Sequence, residues 1–218
     1  MRNFHIVLGI LIAAVWGINF IAVSYALRDV SPILLCAIRF FLISIPAVFF
    51  CKPPQANRWL VLTYGVVMFA LQFALMFIGL YLGMPAGMGS VLLQTQAFFT
   101  LFFALLFFKE KLSKQQLAGI GLAFLGIVLV AMNMGGEMTW EGFLFVMAAA
   151  FCWGLGSVLV KKMGRVNQVS LVVWASTISW PLLLSASLYL EGWEMLLGVY
   201  ERAGWLTYLS ILYTTLGS

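Results

Sequence analysis

The sequence predicts an all-α polytopic membrane protein, and three observations carry that prediction. Apolar runs reach the length of a membrane crossing, charge is too scarce to clothe a water-facing surface, and basic residues keep to alternate loops. Of the 218 residues, 64% are hydrophobic and only 9% charged, and the mean hydropathy is +1.07. A water-soluble domain carries about 25% charged residues, so lipid is the expected solvent for most of the chain. The backbone there must satisfy its own polar groups within helices. The net charge of +5 lies in short patches between the apolar runs, not along one face, so nucleic acid is not an expected partner. Cys36, Cys51 and Cys152 are odd in number and fit neither a disulfide frame nor a zinc spacing. They read as small hydrophobes, and no cofactor or metal is expected.

A crossing helix needs about 20 apolar residues. That rule gives spans 4–27, 32–51, 59–82, 86–108, 115–132, 140–160 and 168–190, with an eighth starting near Trp205. The first run is longer than the roughly 7–15 residues of a signal-peptide core, so it reads as a retained span. Asp29-Val-Ser-Pro32, Lys52-Pro-Pro54, Gly83-Met-Pro85 and Gly135-Gly136 punctuate the breaks. On this reading Arg2, Lys52, Arg58, Lys109, Lys111, Lys114, Lys161, Lys162 and Arg165 share one side with a single acid, Glu110. Arg28 and Arg202 lie on the other side with Asp29, Glu137, Glu141, Glu191, Glu194 and Glu201. The excess of basic residues places the first side, and the N-terminus, in the cytoplasm.

An internal repeat runs through these spans. Ala13-Ala-Val-Trp16-Gly17 in span 1 returns in span 6 as Ala150-Phe-Cys-Trp153-Gly154, 137 residues later. Pro46 in span 2 and Pro181 in span 7 are 135 apart. Five spans separate the copies, so the second copy must be inverted across the membrane, the arrangement of many secondary transporters with a substrate site near the midplane. The expected domains are a first five-helix repeat over 1–133 and a second, incomplete one over 134–218. By this logic the chain stops inside the eighth of ten helices, as a truncated product or a partial record.

The Trp16-Gly17 pair, Arg39-Phe40, and the run from Glu110-Lys-Leu through Gln116-Leu-Ala-Gly119 to Gly126 resemble the drug/metabolite transporter superfamily, in particular its EamA-type exporters. Gly83-Met-Pro-Ala-Gly87 followed by Leu93-Gln-Thr-Gln-Ala-Phe-Phe-Thr100 resembles the O-acetylserine/cysteine exporter branch. The resemblance implies two inverted five-helix bundles around a central cavity, in a bacterial inner membrane, exporting amino-acid metabolites. A truncated, non-transporting scaffold and a transporter of another metabolite stand as alternatives, and the oligomeric state is left open.

Polar groups at membrane depth are costly and each needs a reason. Arg39 lies about 10 Å into span 2 at 1.5 Å per residue. It either faces a cavity and holds a substrate carboxylate with its planar fork, or snorkels outward, or bonds helix-end carbonyls. Asn19, Gln72, Gln94 and Gln96 fall near the middle of their spans. Trp16 and Asn19 share a helix face, as do Trp153 and Ser157. Gln94 and Gln96 are about 200° apart on an unbroken helix, so only one is expected to face the cavity. Together these residues suggest a pocket of Trp walls and amides for a small zwitterionic metabolite, with helix-to-helix hydrogen bonding as the alternative role of each. Ala13/Gly17, Ala148/Cys152/Gly156, Ala150/Gly154 and Gly119/Ala123 are four apart and are assigned to close helix packing with lipid around them. Pro46 and Pro181 are placed to kink their helices.

Absences complete the reading. His5 is the single histidine, no phosphate-binding loop is present, and Ser90 and Ser157 have no intramembrane base, so neither an enzyme nor direct use of ATP is expected. No carboxylate falls within the spans at depth, which argues against cationic drugs as the main substrate.

Overall fold

The computed structural model describes residues 2–109, 113–132 and 138–216, and the side chains of Arg2, Asn3, Phe4, Met195 and Tyr200 are outside that description. Glu110, Lys111, Gly135, Gly136 and Glu137, used above for motif, punctuation and orientation, lie outside the described residues. The described chain is helical throughout, with no strand. It comprises α1 (Arg2–Ala26), α2 (Pro32–Val48), α3 (Arg58–Tyr64), a π-helical segment (Gly65–Leu71), α4 (Gln72–Tyr81), α5 (Ala86–Leu93) and α6 (Gln96–Phe108). There follow α7 (Lys114–Met132), α8 (Trp140–Met163), α9 (Gln168–Leu190), α10 (Trp193–Arg202) and α11 (Trp205–Leu216).

Six helical stretches among the described residues are long and apolar enough to cross a membrane: His5–Ala26, Arg58–Tyr81, Ala86–Phe108, Lys114–Met132, Trp140–Met163 and Gln168–Leu190. The protein is a polytopic α-helical membrane protein. Span 2 is shorter than the expected 32–51, because α2 ends at Val48 and the chain then turns toward Pro53-Pro54. Its 17 residues still lie at the lower end of the crossing range. Arg58–Tyr81 is a single span whose middle widens into the π segment. Ala86–Phe108 is interrupted at Gln94-Thr95, where backbone bonds shorten to three-residue spacing. The stretch after Glu191, read as a loop, folds instead into the amphipathic α10.

Side-chain contacts fix how the helices run. Ser31 before α2 meets Glu191 at the end of α9, while the Trp174 indole near the start of α9 donates to the Cys51 carbonyl beyond α2 at 3.1 Å. These two helices are therefore antiparallel, and theirs is the most extensive contact in the bundle. Tyr213 donates to the Val15 carbonyl, laying α11 antiparallel along α1. Lys161 and Lys162 sit over the rings of Phe108 and Phe107 at 4.6 and 4.7 Å, so α6 and α8 end together. This end also holds Cys51 and Lys52 and is the basic end. Asp29, Ser31, Glu191 and Thr207 meet at the opposite, acidic end.

Small residues allow the closest approaches. A Cβ on Gly154 would lie 2.6 Å from Phe99 Cβ on α6, and one on Gly79 would come within 2.8 Å of Val146 on α8. The packing expected of Ala150/Gly154 and of Ala148/Cys152/Gly156 is thus found along α8. It is not found at Gly17 or Gly119, where an added Cβ meets nothing within 4 Å among the described residues. Toward the acidic end Val23, Ala26, Val30, Leu34, Leu35, Phe77 and Val146 are almost wholly buried, as are Leu171 and Ala175 toward the basic end.

Candidate functional site

Below the acidic end, α1, α2, the π segment, α4 and α8 enclose a cavity of about 180 Å³. The π segment helps to build its wall. A π turn bonds five residues apart instead of four, so it widens the helix. Tyr64, Met68, Phe69, Gln72, Phe73 and Met76 all reach the cavity from this one span. Gly65 lets the segment lie tight on α9, where the Ser179 hydroxyl stands 2.8 Å from the Gly65 carbonyl.

Five of the residues singled out from the sequence line this cavity: Trp16, Asn19, Arg39, Gln72 and Trp153. Trp16 and Trp153 meet edge to face, with ring centroids 5.9 Å apart and planes inclined at 67°. Arg39 is 2% exposed, so its side chain does not snorkel outward. Its guanidinium carbon lies 4.5 Å from the centre of the Phe73 ring, 5.7 Å from Phe40 and 5.9 Å from Phe77. A desolvated cation on aromatic faces gains about 2 kcal/mol, which offsets much of the roughly 2.5–3.5 kcal/mol cost of placing Arg at this depth. Gln72 is completely buried, and neither its Oε1 nor its Nε2 has a hydrogen-bond partner among the described residues. Asn19 Nδ2 is in the same condition. A buried amide left so is destabilising by about 1–3 kcal/mol. These amides leave unused hydrogen-bonding capacity at the cavity wall.

The other three residues lie elsewhere. Gln94 and Gln96 line a groove of about 460 Å³ between α1 and the interrupted span, and Leu93 takes the place at the cavity wall. Their side chains approach to 3.5 Å. The expectation that they face opposite ways presumed an unbroken helix, and the break at Gln94-Thr95 removes that premise. Ser157 donates to the Trp153 carbonyl one turn back and lines neither space. Sequence reasoning missed the aromatic bed of Arg39. Its signal was present, since Phe69, Phe73 and Phe77 repeat every four residues, as do Met68, Gln72 and Met76.

Comparison with known proteins decides the family. Residues 3–132 match the model of the EamA-like transporter family. The chain belongs to that family. Among curated EamA relatives, a Salmonella typhimurium protein described as a "probable amino-acid metabolite efflux pump" is 39% identical over 212 residues, covering 94% of this chain and 71% of the relative. An Escherichia coli protein of the same description is 37% identical over 213 residues, covering 95% and 71%. An uncharacterised transporter of Archaeoglobus fulgidus is 24% identical over 210 residues, covering 89% and 76%.

Proposed function

We propose that this EamA protein exports small amino-acid metabolites of the O-acetylserine and cysteine kind by alternating access, with the cavity beside Arg39 as the substrate site. The observation that carries the reading is the meeting of a stacked guanidinium with buried amides that lack partners, opposite a Trp pair. In this site Arg39 holds the carboxylate through its planar fork. Gln72 and Asn19 bond the amino and polar side-chain groups, and the aromatic faces carry the rest. The printed description of the two enterobacterial relatives supports the same substrate class.

Alternating access needs two halves, and the helix contacts support the repeat proposed above. Exchanging α1 with α8, α2 with α9, and the span Arg58–Tyr81 with α11 carries the α4–α8 contact onto α11–α1, and the contact of the π segment with α9 onto α11–α2. The Trp16–Trp153 and α2–α9 contacts then lie where an inverted twofold axis would pass. In the proposed orientation the basic end faces the cytoplasm of a bacterial inner membrane.

The test is uptake of labelled cysteine and O-acetylserine into inverted vesicles from cells producing the protein. Uptake is expected, and loss of the charge in Arg39→Ala is expected to raise the apparent KM roughly 10–100-fold, the worth of a hydrogen bond to a charged group. No uptake of either metabolite would remove these substrates. Full export with unchanged affinity in Arg39→Ala would remove the carboxylate role.

A further inference from the structure

At the acidic end, the hairpin between α1 and α2 is fastened to two elements far along the chain. Ser31 occupies the N-cap position of α2, yet its hydroxyl makes no capping bond. It donates instead to Glu191 Oε2 at 2.5 Å. The same oxygen accepts the hydroxyl of Ser187, one turn earlier on α9. Two residues before Ser31, Asp29 Oδ2 accepts the hydroxyl of Thr207 in the first turn of α11. The three donors are nearly out of solvent, with Ser31 at 7%, Ser187 at 3% and Thr207 at 1% exposure.

Glu191 is also placed against the field of its own helix. It is the C-cap residue of α9, where the helix dipole disfavours negative charge. The start of α2, which favours it, stands across the contact at Ser31. Asp29 likewise follows the C-terminus of α1 and finds its partner at the start of α11. Each carboxylate is therefore at an unfavourable end of the helix before it and takes a hydroxyl from across the interface, Ser31 for Glu191 and Thr207 for Asp29, while Ser187 on α9 also serves Glu191. The cross-interface bonds are lost when the interface parts.

We propose that Glu191 and Asp29 are the gating residues of the outer face, holding the acidic end closed over the cavity by accepting hydroxyls across the two halves. This rests on the alternating-access reading above: release of a substrate outward requires both contacts to separate. Hydrogen bonds to an ionised acceptor are roughly twice as strong as neutral ones. The neutral Glu191→Gln and Asp29→Asn variants keep the shape and weaken the latch.

Cys36 supplies a native reporter, since it is fully buried on α2 between Ser31 and Arg39. In a Cys51→Ala, Cys152→Ala background, a membrane-impermeant maleimide applied at the acidic face is expected to label Cys36 slowly. Glu191→Gln, Asp29→Asn and Ser31→Ala are each expected to label about tenfold faster or more, from the strength of a charged hydrogen bond. Ser187→Ala, which removes only the donor within α9, is expected to stay within about twofold of the parent, the margin of a contact that does not cross the interface. Labelling of the three cross-interface variants at the parent rate would overturn the proposal, as would equal acceleration by Ser187→Ala. A second arm joins Ser31→Cys to Glu191→Cys with a short cleavable thiol linker. Export is expected to stop on linking and resume on cleavage, and continued export by the linked protein would overturn the latch. If the unmodified protein carries no metabolite, the substrate proposal fails, while the labelling rates still decide the latch.

Discussion

A buried amide with no partner is destabilising, and membrane interiors make the penalty hard to escape. Gln72 carries that penalty at both of its polar atoms, in a wall made largely of Phe, Met and Trp. Gln72→Met keeps the length of the side chain and removes the unsatisfied groups. It is expected to raise stability by about 1 kcal/mol while lowering export, as read by thermal unfolding in detergent and vesicle uptake. A fall in both would show that Gln72 serves the fold and not the site. Arg39→Lys separates charge from shape in the same way. It keeps the cation and loses the planar fork that stacks on Phe73, so affinity is expected to fall between that of the parent and Arg39→Ala. The polar residues of this site were legible because each stands alone among apolar neighbours at mid-depth. Their aromatic setting was less legible, since a stripe of Phe four apart reads equally well as core.

The matching Trp-Gly pairs show how an element's surroundings decide what a residue does. Gly154 meets Phe99 closely enough that a methyl group has no room, whereas Gly17 faces open space among the described residues. Gly154→Ala is expected to cost about 1–3 kcal/mol by overpacking. Gly17→Ala is expected to be neutral or to gain up to about 1 kcal/mol of helix propensity. Comparing the melting temperatures of the two variants checks this, and a larger loss at Gly17 would contradict the packing described. Six of the seven full spans expected were legible because length and hydropathy suffice for them, while α2 is shorter than the sequence suggested. The interruption at Gln94-Thr95 and the π segment at Gly65–Leu71 were not, because neither carries a proline; the first lies in a span packed on α8 and the second in one packed on α8 and α9. Deleting Val66 or Val67 would remove the extra residue that the π turn accommodates, returning the segment to α spacing and narrowing the helix where it lines the cavity. The protein is then expected to insert in the membrane but lose the cavity, as membrane fractionation and uptake would show.

At the scale of the molecule, charge is arranged along one axis. Lys52, Arg58, Lys109, Lys161, Lys162 and Arg165 belong to the basic end, while the carboxylate contacts belong to the other. Topology reporters fused after Pro54 and after Arg165 are expected to read as cytoplasmic, and one fused after Gly192 as external. The reverse result would invert the proposed direction of export. The ring pair Trp16–Trp153 lies between α1 and α8, the helices that the proposed repeat would relate to one another. Two indoles this close couple electronically, so their joint ultraviolet circular dichroism depends on mutual distance and tilt. The protein thus contains its own optical gauge: the difference spectrum between the parent protein and Trp16→Phe reports the separation of α1 and α8, with no dye attached.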